Sequence, residues 1–252
     1  MIAFITGASS GIGEACAHKF AQGGYDLILN ARNIEKLHAL KTAIEDGYGR
    51  KVCLLPFDVR DRQAARSAWD SLPEEWKAID VLINNAGLAL GLDKEYLGSE
   101  EHYDTMIDTN ITALLMMTRL VVPSMVARGK GHIINIGSVA GDAAYAGGAV
   151  YCATKAAVKT LSDGLRIDLA STPLRVTNVK PGLVETNFSL TRFEGDTARA
   201  ANVYKGITPL CGADIADVAF YAASAPAHVQ IAEVLVLATH QASGTVVHRE
   251  EA

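Results

Sequence analysis

The feature that most constrains this chain is a regular alternation of short apolar runs with longer helical stretches. Runs rich in Ile, Val and Leu recur at 2–5, 27–29, 52–55, 81–83, 132–136, 176–179 and 234–237. Helical periodicity fills the intervals, at 13–22, 34–44, 63–71, 103–127, 150–170 and 216–223. Strands that are apolar on both faces must be covered on both, and strands separated by crossover helices achieve this in a parallel sheet. Right-handed crossovers make that sheet doubly wound, with the ligand site beyond the carboxyl ends of the strands. The expected fold is therefore α/β: a single doubly wound parallel sheet of Rossmann type with helices on both faces. No linker composition or internal repeat divides the chain, so 1–252 reads as one domain. The least regular stretch, 187–212, is long for a connection; it reads as a mobile substrate lid or as a short surface helix with a static loop.

Composition narrows the partners. Hydrophobic residues make up 49% and charged residues 20%, which excludes a disordered chain. The net charge of −5 comes without any stripe of Lys and Arg, so no nucleic-acid partner is expected. No uninterrupted apolar run reaches bilayer length, and no basic segment precedes the strand at residue 2, so neither a membrane span nor a secretory signal is expected. The four cysteines stand singly, and Cys16 with His18 makes no ligand set; a reduced, cytoplasmic, metal-free protein is the economical reading.

The first strand runs directly into Gly7-Ala8-Ser9-Ser10-Gly11-Ile12-Gly13 and then a helix. Glycines there let the backbone approach a pyrophosphate, and free N–H groups with the helix dipole favour its charge. At the end of the second strand, Asn30-Ala31-Arg32-Asn33 offers no acid for the ribose hydroxyls of NAD. Arg32 suits the 2′-phosphate of NADP, the alternative being an ordinary loop arginine. Further on, Ser138 follows the fifth strand, Tyr151 lies thirteen residues later and Lys155 four beyond it. On a helix, Tyr151 and Lys155 share one face. A phenol of ordinary pKa about 10 is a poor acid/base at neutral pH, and a neighbouring ammonium is expected to lower it. Ser138 is placed to hold the substrate oxygen while Tyr151 moves the proton.

The glycine turn, Asn84-Asn85-Ala86-Gly87 after the fourth strand, and Ser138, Tyr151 and Lys155 together resemble the short-chain dehydrogenase/reductase family over essentially the whole chain. The resemblance implies that Gly7, Ser9, Ser10, Gly11, Ile12 and Gly13 hold the cofactor phosphates. It implies that Arg32 and Asn33 meet the adenosine ribose, and that Asp58 and Val59 flank adenine. Asn85, Ala86 and Gly87 would line a ribose, and Asn110 would position a water linking Lys155 to solvent. Pro181-Gly182-Leu183-Val184-Glu185-Thr186 looks like the segment that grips the carboxamide, here through Pro181, Gly182, Val184 and Thr186. The cofactor so implied is NADP(H), and the family implies a homotetramer.

Met106-Ile107-Asp108-Thr109-Asn110, Gly131 to Ser138, Tyr145-Ala146-Gly147-Gly148 and Arg192-Phe193-Glu194-Gly195-Asp196 carry a closer resemblance. It is to the bacterial NADP-dependent 3-hydroxy acid dehydrogenases and the related sulfoacetaldehyde reductases. That implies a small anionic substrate. Arg192, in the lid, is then either a clamp for carboxylate or sulfonate or a solvent-facing arginine, and Tyr145 either walls the substrate site or only packs. A carbonyl reductase of neutral ketones and a non-catalytic NADP-binding sensor are the competing readings. The intact Ser138, Tyr151 and Lys155 weigh against the sensor.

Overall fold

In the computed structural model, which describes residues 1–250, seven parallel strands form one sheet in the order β3-β2-β1-β4-β5-β6-β7. The strands are β1 (Ile2–Thr6), β2 (Asp26–Asn30), β3 (Val52–Leu55), β4 (Val81–Asn84), β5 (His132–Ile136), β6 (Arg175–Pro181) and β7 (Glu233–Val236). Strand alternation sorts the side chains into two cores. Ala3, Ile5, Leu27, Leu29, Val81 and Ile83 face one side, and Phe4, Ile28 and Leu82 the other.

Helices α1 (Gly11–Gln22) and α2 (Ile34–Tyr48) cover the first side with Cys16, Phe20, Leu37 and Ile44. The second side takes Ala65 from α3 (Arg62–Asp70). The doubly wound sheet with both faces covered is thus the expected fold. Between β1 and β4 the strand order reverses, and the crevice at that switch point is where a ligand is received.

The single helix expected over 103–127 is instead α4 (Glu100–Ile107), a π-helical turn (Asp108–Thr112) and α5 (Ala113–Arg128). π-bulges of this kind concentrate at functional sites, and 3.6-residue periodicity gives no sign of one. Taken together, Glu100–Arg128 is long enough and, with a mean hydropathy of 1.4 over its most apolar part, apolar enough to cross a membrane by length and composition. Its apolar residues are used in the fold: Met116, Met117, Val121, Val122 and Met125 pack into the core beneath β4 and β5.

Helix α6 (Ala149–Asp168) follows β5. The irregular stretch after β6 contains α7 (Phe188–Arg192) and α8 (Thr197–Asn202), before α9 (Gly212–Ser224) returns to pack Ile215, Ala216 and Ala219 on the α1 side.

Candidate active site

A cleft of about 590 Å³ lies along the carboxyl ends of the strands and is walled on its outer side by α7. Of the candidate site residues singled out in the sequence, all but Gly13, Asn33 and Asn110 border it.

The glycine turn is held by packing that admits no side chain. Gly7 has φ 64°, a left-handed conformation that glycine adopts without cost. A Cβ on Gly13 would lie 2.3 Å from the Gly7 carbonyl oxygen, so only glycine lets α1 start this close to the strand. Ser10, the N-cap of α1, makes no side-chain capping bond. Among the described residues, the first-turn amides of α1 therefore have no side-chain partner beside a cleft lined by Ser9, Ser10, Gly11 and Ile12.

Thr6, which sequence reasoning passed over, braces this turn. Its Oγ1 accepts from the backbone N–H of Asn85 (3.1 Å) and of Ala86 (3.0 Å). Asn85 borders the cleft, but its side-chain amide is turned to the Thr6 (2.9 Å) and Gly7 (3.1 Å) carbonyls. Asn85 therefore supports the turn, while Ala86 and Gly87 line the cleft.

At the open end, Arg32, Asp58 and Val59 all border the cleft, joined by an unanticipated Arg60. Asn33 does not. It is exposed, and its Oδ1 accepts from the Lys36 N–H (2.8 Å) as the N-cap of α2, so the backbone's need for a cap determines its position. Asn30 at the tip of β2 donates to the Leu55 and Phe57 carbonyls (2.9 and 3.0 Å), fixing the chain just before Asp58. Its buried Oδ1 has no hydrogen-bond partner among the described residues. A glycine cradle, uncapped helix amides, an orphaned polar atom and surface guanidiniums fit a phosphorylated dinucleotide.

At the buried end, Ser138 leaves β5 and caps a 3₁₀ turn (Val139–Gly141), its Oγ accepting from the Ala140 N–H at 3.1 Å. Tyr151 and Lys155 project from the first two turns of α6, only 8% and 7% exposed. Lys155 Nζ donates to the Ile136 carbonyl (2.8 Å) and lies 5.9 Å from the centroid of the Tyr151 ring. Burial lowers the Lys155 pKa to about 8.

Lys155 was expected to lower the Tyr151 pKa. In this structure burial dominates and pushes the phenol up; the groups opposing it are the neighbouring Ser138 hydroxyl and the Arg192 guanidinium. The physical reason is that a phenolate is costly to hold in so dry a site, and the same burial lowers the Lys155 pKa and with it the charge that could oppose this.

Asn110 sits in the π-helical turn with its side chain in three hydrogen bonds. Its Oδ1 accepts from the Leu88 N–H (2.9 Å), and its Nδ2 donates to the Leu88 carbonyl (2.8 Å) and to Thr154 Oγ1 (3.0 Å). It does not border the cleft. It ties the Gly87 loop to α6 beneath Tyr151. Thr109 does border the cleft, with a buried hydroxyl that is unpartnered among the described residues.

Arg192 ends α7 and points inward. Its Nε donates to the Gly91 carbonyl (3.1 Å), its Nη1 to the Tyr145 hydroxyl (2.8 Å), and its Cζ lies 5.7 Å from the Tyr151 ring centroid. Arg192 is half-buried and hydrogen-bonded, and Tyr145 borders the cleft beside it. Phe188, not foreseen, packs its ring 5.7 Å from that of Tyr151.

Pro181, Gly182, Val184 and Thr186 line the cleft floor. Gln241, for which the sequence carries no signal, fixes that floor by accepting from the Leu183 N–H (2.8 Å).

A glycine turn at the switch point of a doubly wound sheet, with a serine, a tyrosine and a lysine converging on one cleft, is the layout of a Rossmann-type oxidoreductase. The family model for short chain dehydrogenase matches residues 1–196, and the chain belongs to that family. Among similar proteins, an NADP-dependent 3-hydroxy acid dehydrogenase of Salmonella typhi is 47% identical over 251 residues, covering 99% of this chain and all of that one. An NADP-dependent 3-hydroxy acid dehydrogenase of Schizosaccharomyces pombe is 43% identical, covering 98% of this chain and 96% of its own. A closed form of serine dehydrogenase complexed with NADP+ superposes with a TM-score of 0.92 at 44% identity, over 99% of this chain and all of that one.

Proposed function

We propose that the protein is an NADP(H)-dependent dehydrogenase of short 3-hydroxy acids, working in either direction between the hydroxy acid and its semialdehyde. The observation that carries the substrate class is Arg192, whose guanidinium is drawn into the cleft beside the Tyr151 ring rather than left in solvent. A guanidinium held there can exchange its bond to the Tyr145 hydroxyl for paired bonds to a carboxylate, setting the substrate carbonyl against Ser138 and Tyr151. The names of the relatives and the fit of the cradle support the cofactor reading.

When bound, the nicotinamide supplies or accepts the hydride. Ser138 Oγ holds the substrate oxygen. In reduction, the Tyr151 hydroxyl gives its proton to that oxygen; burial, which keeps the phenol protonated, suits this role. In oxidation, Tyr151 Oη takes the proton from the alcohol, and the neighbouring Ser138 hydroxyl with the Arg192 charge favours the phenolate so formed. Asn110 acts by holding the Gly87 loop and Thr154. The segment 187–212, carrying Arg192, acts as the lid of a one-domain enzyme. A cytoplasmic homotetramer is the assembly the family resemblance supports.

The experiment is to follow NADPH absorbance with purified protein across malonic semialdehyde, succinic semialdehyde, sulfoacetaldehyde and a neutral ketone, and in reverse with serine and 3-hydroxy acids. Turnover highest with the short carboxylates is expected. Preference for sulfoacetaldehyde would reassign the anion, and preference for the neutral ketone would overturn the clamp.

A further inference from the structure

We propose that Arg60 sets the preference for a 2′-phosphorylated dinucleotide by holding Asp58, which leaves Arg32 free for the phosphate; the inference rests on the NADP(H) reading above. Arg60 follows β3 and borders the cleft with Asp58 and Arg32. It grips Asp58 with its side chain and its backbone at once. Nε lies 3.1 Å from both carboxylate oxygens, Nη2 lies 2.7 Å from Oδ2, and the Arg60 N–H donates to Oδ1 at 3.0 Å. Arg32 Nη1 stands 4.0 Å from the same Oδ2, with 68% of its side chain exposed.

Two guanidiniums thus flank one carboxylate. Their charges, +2 and −1, leave +1 in this trio, and Arg60 takes almost all of the Asp58 hydrogen-bonding capacity. The hydrogen bond from Arg60 is also the leading cause of the lowered Asp58 pKa, ahead of the lesser Arg32 charge. Asp108 is a further negative charge acting on Arg60.

Without Arg60, the Asp58 carboxylate has Arg32 as its nearest cation. It would draw that guanidinium out of reach of a phosphate and repel the phosphate directly. A cofactor with a bare ribose hydroxyl suffers neither effect, and a freed carboxylate can accept from it. Arg60 is therefore a positioning residue, acting on the phosphate through Asp58 and Arg32.

The test is calorimetric binding of NADP+, NAD+, 2′,5′-ADP and 5′-AMP to the wild type, Arg60→Met, Asp58→Asn and the Asp58→Asn/Arg60→Met double variant. In Arg60→Met, the Kd for NADP+ and 2′,5′-ADP is expected to rise about tenfold, as loss of a charge-assisted contact implies, while NAD+ and 5′-AMP bind as before or better. The double variant is expected to recover most of the NADP+ affinity, because the carboxylate that competed for Arg32 has gone. Equal weakening of both dinucleotides, or no change for NADP+, overturns the proposal. A double variant no better than Arg60→Met also overturns it, since Arg60 would then touch the phosphate itself. A wild type that binds NAD+ as tightly as NADP+ defeats the cofactor reading itself, a result distinct from failure of the Arg60 variants alone.

Discussion

The two ends of the cleft are both built around cations, and they use them in opposite ways. At the buried end, Lys155 and Tyr151 are almost wholly removed from water, and burial shifts both groups toward their neutral forms. At the open end, Arg32, Asp58 and Arg60 remain partly solvated and are shaped by one another rather than by burial. Burial brings the two forms of Lys155 closer in energy and holds Tyr151 in the protonated form that reduction uses. A phosphate recognition site needs permanent charge that can reorient, which solvent and a salt bridge provide. The proposed function accordingly puts the chemistry at the end near α6 and selection of the cofactor at the end near β2 and β3.

The sharpest way to break this division is Tyr151→Phe. It should bind NADPH unchanged yet lose turnover by about 10²- to 10⁴-fold, the usual weight of a positioned acid/base. Single-turnover and binding measurements on one preparation check it, and substantial remaining turnover removes Tyr151 from the chemistry. Arg192→Ala tests whether the lid arginine belongs to the buried end. Its kcat/KM for a semialdehyde carboxylate should fall by about tenfold to a hundredfold, consistent with one or two charge-assisted bonds. A neutral aldehyde should be hardly affected, and equal losses for both would mean that Arg192 only organises the lid.

Thr6→Val probes the turn that joins the two ends. It strips the acceptor from the Asn85 and Ala86 amides and should cost about 1–3 kcal/mol in urea unfolding, the range for a buried donor left unpaired. An unchanged denaturation midpoint would show that the turn stands without this brace.

The smallest effect is a pH slope. The Lys155 pKa falls from 10.5 to about 8 on folding, so between those values the unfolded chain holds more proton than the folded one. Unfolding free energy of the cofactor-free protein should therefore rise with pH across that window on account of this residue. In Lys155→Met that contribution should vanish. Parallel urea curves at several pH values, with identical slopes in both proteins, would contradict the burial of Lys155.

Much of this was legible in the chain. Seven apolar runs became seven strands. The five between the edges are almost wholly buried, because a segment apolar on both faces has few places to go except the inside of a parallel sheet, while the edge strands β3 and β7 are less so. The glycine turn, Ser138, Tyr151 and Lys155 could be found because each sits at a fixed spacing from a strand end or along a helix. Periodicity misled where the departure was local. The π-helical turn at Asp108–Thr112 leaves the apolar pattern on either side intact.

What the sequence by itself determined is the sheet, the position of its switch point and the residue types that converge there, since these follow from patterns along a strand or one helical face. Only the tertiary structure decided which groups act on those residues. Arg60 and Asp58 share a surface turn after β3, and their pairing there leaves Arg32 at the edge of the same carboxylate. Arg192 lies 101 positions from the Gly91 carbonyl it bonds, and 47 from the Tyr145 hydroxyl. Gln241 lies 58 positions from the Leu183 amide it fixes. Contacts of that span depend on how loops fold back over the strand ends, where no repeating pattern ties one residue to the next. The burial that keeps the Tyr151 proton in place and loosens that of Lys155 is likewise a property of the closed cleft as a whole, because desolvation depends on every element that excludes water from it.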